Sequence, residues 1–550
     1  MISENLDKNF LDNVEQQYLL GNIIKKYDYY EDARSSQLTD NRLVKYAIYD
    51  ADIPKVNAWD CHIQLPDIYE LAQTLKSHLV QNLYSHPDGM FDVEGKDFET
   101  QKFANKQKAM LVSTFESMKI EDEMEKIIDS VVETGEVTLF VGWETKTRKT
   151  RRAISLKEQL NRNSDETFVV EDKIVYDNAK VKFINYEDFV FDRTEAGNWD
   201  SCAKIYRTYQ TIDEIVQNKS NNLLDIEKLE MLKGVVAKNS KKNKMSTYER
   251  KVELLEYWGD IELSNGEILK NKLIVVAGRC VLIRFEDNPF VINPFIHANI
   301  IECPTTGRGI SPLRVALILN NISSTILNKQ LDALALMMNP PYLAPKGCFK
   351  GEQDVRPGKI VEYDASLMTT PPTPISFDKA MQGWEFLNYF KSTIESATGI
   401  FKNMAGNLQS SERTATELNY SVGGQEARLN MILESINRKV IIPMVEKTAE
   451  IISNFRLGKE SVLANDRGKV FLVEVDDKVR NADYIYRYGD RKASFERKVR
   501  MKELFEVVQS FLQIDVVKNR IDWLECFKFV MEQYGVENAN NFLTENKIEE

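Results

Sequence analysis

One stretch constrains the fold of this chain more than any other. It opens at Gly307-Arg308-Gly309-Ile310-Ser311-Pro312 and meets no further Gly or Pro until Asn339-Pro340-Pro341. The glycines break the chain, Ser311 is a natural N-cap, and Pro312 takes a first helical position where its missing N–H costs nothing. About 27 residues at 1.5 Å each predict a rod near 40 Å long. Ala316, Leu319, Ile322, Ile326, Leu331, Leu334 and Met338 keep a three-to-four spacing, which predicts an apolar face. Beyond the rod, residues 340–374 hold seven of the chain's fifteen prolines, a density that forbids helix and central strand. Within that insert only Lys359-Ile360-Val361-Glu362-Tyr363 alternates, as a short edge strand. A second helix is expected from Asp378 to Thr398, with Trp384, Leu387, Phe390 and Ile394 on one face. The pattern is two helices joined by a compact, proline-stiffened head.

The flanks are mixed. The first 130 residues read mainly as helices, with one run from Phe98 to Glu133 built around Phe103, Met110, Leu111, Phe115 and Met118. Gly135 ends that run, and Val137–Trp143 is β-branched and aromatic enough to be a strand. Val181–Asn185 is a second strand, residues 211–245 return to helix, and 250–300 form a meander (Val252–Trp258, Lys272–Ala277, Arg279–Phe285). Gly399 to Ser411 is polar, holds two glycines and has no periodicity, so it reads as a mobile loop. A third long helix is expected from Thr414 to Phe455 with a kink at Gly423-Gly424, then a strand at Lys469–Val475 and a helical tail. The expected class is α+β, mostly helical, with 550 residues allowing about three to five domains or subdomains.

Composition narrows the function. With 43% apolar and 28% charged residues the chain is an ordinary globular one. No run approaches 18 apolar residues, so no membrane span is expected, and an acidic N-terminus without an apolar core region predicts no secretory leader. The net charge of −12 argues against a surface that grips DNA tightly, while an acidic wall would let a duplex slide past without sticking. Lys146, Arg148, Lys149, Arg151 and Arg152 form a basic run that reads as a solvated loop, as does Lys238–Lys244. Six scattered cysteines and four histidines lack metal-ligand spacing, so neither metal nor cofactor is expected. Gly358-Lys359 has no upstream glycine to make a phosphate loop, and Gly309-Ile310-Ser311 lacks the glycine a nucleophile elbow needs after its serine. Asp188 and Asp192 are the best candidates for a metal-dependent nuclease, although carboxylates four apart beside a strand are commonly turn formers. No catalytic set emerges, and no enzyme is expected.

The order of parts, in contrast, is distinctive: long helix, proline-rich insert, helix, glycine-containing loop, long helix, helical tail. It resembles a bacteriophage portal protein, the head-to-tail connector of short-tailed phages. Val137–Trp143 after Gly135 resembles a strand of that family's wing, and Tyr186-Glu187-Asp188-Phe189-Val190-Phe191-Asp192 its segment leading to an Asp. Pro294-Phe295 with Gly309-Ile310-Ser311-Pro312-Leu313 is similar to its approach to the stem. Glu412-Arg413-Thr414-Ala415-Thr416-Glu417 is similar to the start of the helix after its tunnel loop.

The resemblance implies a fold and a set of roles. Residues 1–306 and 413–490 would form the wing, 307–338 and 378–398 the stem helices, 339–377 the clip, 399–412 the tunnel loop and 491–550 the crown. Such chains form a homo-oligomeric ring, typically of twelve, at one capsid vertex of the virion, a channel through which double-stranded DNA is packaged and ejected. Lys402, Asn403, Asn407, Gln409 and Arg413 would face DNA, although Lys402 at that position also suits a cap on the preceding helix. Lys346, Lys350, Arg356 and Lys359 make the clip locally basic, where the large terminase subunit and then the tail adaptor would dock. Major capsid and scaffolding proteins are further implied partners. The alternatives are the nuclease and another head-tail adaptor of the virion, the latter usually much shorter.

Overall fold

The computed structural model describes residues 12–49, 61–83, 87–153, 168–193, 199–238, 251–304, 307–338, 342–343, 366, 373–374, 384–400, 428–466 and 469–488. Helices α1 (Asn13–Asp32), α2 (Ser35–Tyr49) and α3 (Asp67–Leu83) lead into β1 (Phe91–Gly95) and α4 (Phe98–Gln101). The expected helix from Phe98 to Glu133 is divided: Lys119 takes a left-handed conformation (φ 55°) and separates α5 (Ala104–Met118) from α6 (Ile120–Thr134). Strands β2 (Glu136–Ala153) and β3 (Phe168–Ile184) pair antiparallel from Thr138 opposite Ile184 to Ala153 opposite Phe168. The basic run Lys146–Arg152, expected in a loop, therefore lies on a strand, because its partner strand supplies the backbone hydrogen bonds that charge alone says nothing about.

Strands β4 (Phe189–Phe191), β5 (Lys204–Thr211), β6 (Lys251–Glu262), β7 (Ile268–Ala277) and β8 (Val281–Asp287) form one antiparallel sheet in sequential order. The expected helix over 211–245 is two short ones, α7 (Ile212–Gln217) and α8 (Ile226–Lys238), before residues that lie outside the described set. Both sheet faces are buried, and the side-chain alternation of β6 shows how. Leu255, Tyr257 and Ile261 pack with Leu19, Ile23 and Tyr27 of α1, whereas Val252, Leu254 and Trp258 pack with Ile212, Ile215 and Leu232 of α7 and α8. Strand β9 (Phe295–Asn299) pairs with the start of β2. Phe295, fully buried, stands 5.1 Å from the ring of Phe189, 5.4 Å from Phe140 and 5.5 Å from Trp258. The Pro294-Phe295 pair thus anchors the junction between the two sheets.

A two-residue pair, β10 (Glu302–Cys303) with β11 (Arg308–Gly309), precedes the long helix α9 (Arg314–Met338). Strands β12 (Tyr342–Leu343) and β13 (Thr373–Pro374) then pair, so the proline-rich insert begins and ends at one place. Helix α10 (Trp384–Thr398) follows, the described part of the helix expected from Asp378. Residues 428–455 are helical, with a π turn at Asn437–Ile441 before α11 (Ile442–Phe455). Pro443 lacks the N–H that would bond one turn back, and widening the helix there relieves the ring's clash with that carbonyl. Gly423-Gly424, the expected kink, lies outside the described residues. A hairpin of β14 (Glu460–Asp466) and β15 (Lys469–Val475), the short helix α12 (Asp477–Arg480) and β16 (Tyr484–Tyr488), paired with β1, complete the fold. The largest core gathers α3, α5, α6, β2, β9 and α11 around residues such as Leu75, Phe115, Ile127, Leu139 and Ile452. The architecture is α+β.

Candidate assembly interface

The long helix is set on the body by two glycines. Gly135 ends α6 with φ +72°, and a Cβ there would stand 2.0 Å from the carbonyl oxygen of Ile310. A Cβ on Gly309 would stand 2.7 Å from Cβ of Glu136. Backbone therefore crosses backbone where α9 leaves the sheet. The helix starts two residues later than Ser311 and Pro312 predict, at Arg314; Ser311 instead closes the turn before it, its hydroxyl accepting from the Leu313 amide at 3.1 Å and donating to the Val132 carbonyl at 2.8 Å.

Past its first turn, where Leu313 and Ala316 are fully buried, α9 is partly inside out. Its buried face is polar: Asn320, Ser323, Ser324, Asn328, Gln330 and Asp332 are all at most 9% exposed. Its outward side exposes apolar side chains, Val315 57%, Ile318 63%, Ile322 41% and Met338 82%, interleaved with the polar Asn321, Thr325 and Lys329. The apolar spacing is divided: Ala316 and Leu319 pack in this chain's own core, while Ile322 and Met338 are exposed. What covers the polar side is an extended strap, residues 61–65. The Leu65 amide donates to Ser324 Oγ at 3.1 Å, the Ile63 amide to Asn328 Oδ1 at 2.8 Å, and the Cys61 amide to Asp332 Oδ1 at 2.7 Å. Asn328 Nδ2 returns a bond to the Ile63 carbonyl at 2.9 Å. The match is one of pitch: two strand residues span about 6.6 Å and four helical ones about 6.0 Å, so alternate amides meet every fourth side chain. The sequence carried this signal as the row Asn320, Ser324, Asn328, Asp332, which a search for apolar periodicity passes over.

Helix α10 is apolar on both sides. Leu387 and Ile394 are buried while Phe386 and Tyr389 are 57% and 64% exposed. Its C-terminus is tied to the helix described from residue 428 onward, for Arg428 Nη1 donates to the carbonyls of Ser396 at 2.8 Å and Ala397 at 3.3 Å. The carbonyls that Lys402 is placed to cap are met here by Arg428, a residue sequence reasoning missed. Residues 397 and 428 therefore stand side by side. Lys402, Asn403, Asn407, Gln409 and Arg413 lie outside the described residues, as do Lys346, Lys350, Arg356 and Lys359 and the edge strand at 359–363.

The nuclease pair is not brought together. Asp188 forms an ion pair with Arg207 at 2.9 Å, and Asp192, beyond β4, accepts from the Tyr30 hydroxyl at 3.1 Å. Four residues of extended chain put the two about 13 Å apart, too far to share one metal. Among the described residues no three His, Cys, Asp or Glu side chains stand close enough to hold a metal ion.

The Tyr186–Asp192 segment has another role. Arg34 donates to the carbonyls of Tyr186, Glu187 and Phe189, binding the segment to the start of α2. Around it burial pushes the Glu136 carboxyl up, with Gln37 donating to it at 2.9 Å, and burial with Arg193 drives His297 down to about 3. His297 is therefore neutral near pH 7, bonded to Thr138 Oγ1 at 2.9 Å. Among the described residues no helix is long and apolar enough to cross a membrane.

Both helices thus carry solvent-exposed apolar side chains. No curated protein matches the chain. The family model of the phage SU10 portal protein matches residues 20–546, nearly its whole length. The chain belongs to the phage SU10 portal protein family and is a bacteriophage portal protein, a structural component of the virion.

Proposed function

We propose that the chain forms a closed ring, of about twelve copies, at one capsid vertex, and that double-stranded DNA passes through the bore during packaging and ejection. The exposed apolar side chains of α9 carry this reading. A helix that buries asparagine and aspartate while presenting valine and isoleucine to water is stable as an interface element and wasteful as a surface one. A head-to-tail ring supplies every subunit with the same neighbour and closes on itself. In this assignment α9 and α10 are the stem, 339–377 the clip, 399–412 the tunnel loop, 491–550 the crown, and the remainder the wing. The β12–β13 pair supports the clip by closing the neck of the insert, and the Arg428 clamp supports a loop held at its base. Lys402, Asn403, Asn407, Gln409 and Arg413 touch the DNA backbone without reading sequence. Lys346, Lys350, Arg356 and Lys359 dock the large terminase subunit and later the tail adaptor, with capsid and scaffolding proteins around the wing. Assembly takes place in the host cytoplasm, before the protein is fixed in the virion. ATP hydrolysis belongs to the terminase.

The test is genome packaging by phage carrying Lys402→Glu or lacking Asn403–Asn407. Rings of normal mass with poor packaging or lost genomes are expected. Normal packaging and retention in both variants would remove the tunnel-loop assignment.

A further inference from the structure

The β2–β3 hairpin outgrows the body that supports it. Phe455 stacks on Trp143 with centroids 5.5 Å apart, and Arg456 donates to the Asp177 carbonyl at 3.0 Å. Beyond these points, among the described residues, the two strands continue alone through Ala153 and Phe168, an arm of roughly 25–30 Å by strand rise. Both its faces are solvated, and an isolated two-stranded ribbon is marginally stable in water.

Two kinds of side chain line this arm. Phe168, Val170, Ile174 and Val175 are each 56–63% exposed. Among the charges, Lys146 pairs with Glu144 and Arg152 with Glu171, while Arg148, Lys149 and Arg151 have no ion pair among the described residues. Over 147–153 and 168–175 there are five basic and two acidic residues, on a chain whose net charge is −12. Phosphate would use the arginines and leave Phe168, Val170, Ile174 and Val175 in water. A protein surface with acidic and apolar groups would use both sets. This chain carries the acidic part of such a surface, its apolar residues there being buried. Residues 116–129, the end of α5 and the start of α6, hold six carboxylates against two lysines, with Glu116, Asp122 and Glu125 exposed.

We infer that the arm of one subunit lies on the acidic α5–α6 surface of the next copy in the ring, a second contact beside the stem. The inference rests on the ring reading above. An arm and a distinct acceptor on one chain are what a head-to-tail ring requires.

The test uses the full-length protein with a photo-crosslinking benzoylphenylalanine in place of Val170. The expected product is a covalent dimer whose crosslink maps to residues 116–129 of the second copy. Arg148→Glu/Lys149→Glu/Arg151→Glu should melt as the wild type does yet associate about tenfold or more weakly, three exposed ion pairs being lost. Adding Glu121→Lys/Asp122→Lys/Glu125→Lys should restore rings. Wild-type rings whose crosslinks fall elsewhere on the chain, on capsid protein or on DNA would overturn the arm contact and leave the ring. Wild-type protein that never forms rings would overturn both. Rings unaffected by the charge reversal would also overturn it.

Discussion

Replacing Val315, Ile318 and Ile322 together with serine separates an interface role for α9 from a folding role. The three side chains are 57%, 63% and 41% exposed, leaving uncovered the equivalent of about one and a half whole side chains. At ~2 kcal/mol for complete burial of each, covering them in a ring contributes about 3 kcal/mol per subunit contact. Losing that weakens each pairwise association by about 150-fold. The isolated subunit should be unaffected, since among the described residues these positions stay open to solvent, and serine costs the helix only a few tenths of a kcal/mol at each. Native mass measurement across a concentration series reads the ring fraction, and a thermal melt of the dissociated subunit reads its stability. Rings forming as in the wild type would refute the reasoning. A variant that melted many degrees lower would show instead that the face belongs to the chain's own core.

Other positions test the fold that supports this face. Gly135→Ala should destabilise by more than about 2 kcal/mol, since a left-handed φ and a Cβ 2.0 Å from the Ile310 carbonyl act together; an unchanged melting temperature would contradict the crossing. Asn328→Leu removes both bonds to Ile63, and amide exchange at residues 61–65 should rise by about ten- to a hundredfold, read by mass spectrometry, with little change in α6. His297, at about 3 when folded and 6.5 when free, takes up a proton on unfolding between those values. Stability owed to its neutral form is thus complete above about pH 6.5 and falls as pH drops toward 3, by at most ~1.4 kcal/mol per unit. Burial raises the Glu136 carboxyl and acts in the opposite sense, so the comparison is between wild type and His297→Gln. The variant's melting temperature should decline less steeply between pH 6 and 4, and parallel declines would contradict the assignment.

Much of the fold was legible because its signals are local. Gly, Ser and Pro mark the start of α9 to within two residues, the three-strand meander shows in β-branched runs, and the order of helix, insert and helix carries the family. What was not legible depends on partners distant in sequence. The basic run at 146–152 reads as a loop until β3 pairs with it, and Lys119 breaks a helix that its flanking apolar residues would continue. The orientation of α9 was left open. Apolar periodicity locates a face but not what it faces, and only the strap at 61–65, more than 250 residues away, shows that the polar side is the inner one. Burying amides and a carboxylate is tolerable there because the strap returns hydrogen bonds at the helix's own pitch. Asn320 and Ser323 are buried without partners one turn before the strap's last rung, the part of this helix for which hydrogen bonding gives no account. Arg428 was invisible for the same reason as the strap, since the carbonyls it meets lie 31 and 32 residues away.

The most direct measurement is the mass of the purified full-length protein in solution, with electron micrographs of the same sample. The account predicts closed rings of about a dozen subunits around a central hole. A species that stays monomeric or dimeric at high concentration and with scaffolding protein present, its α9 face still open to solvent, would contradict it.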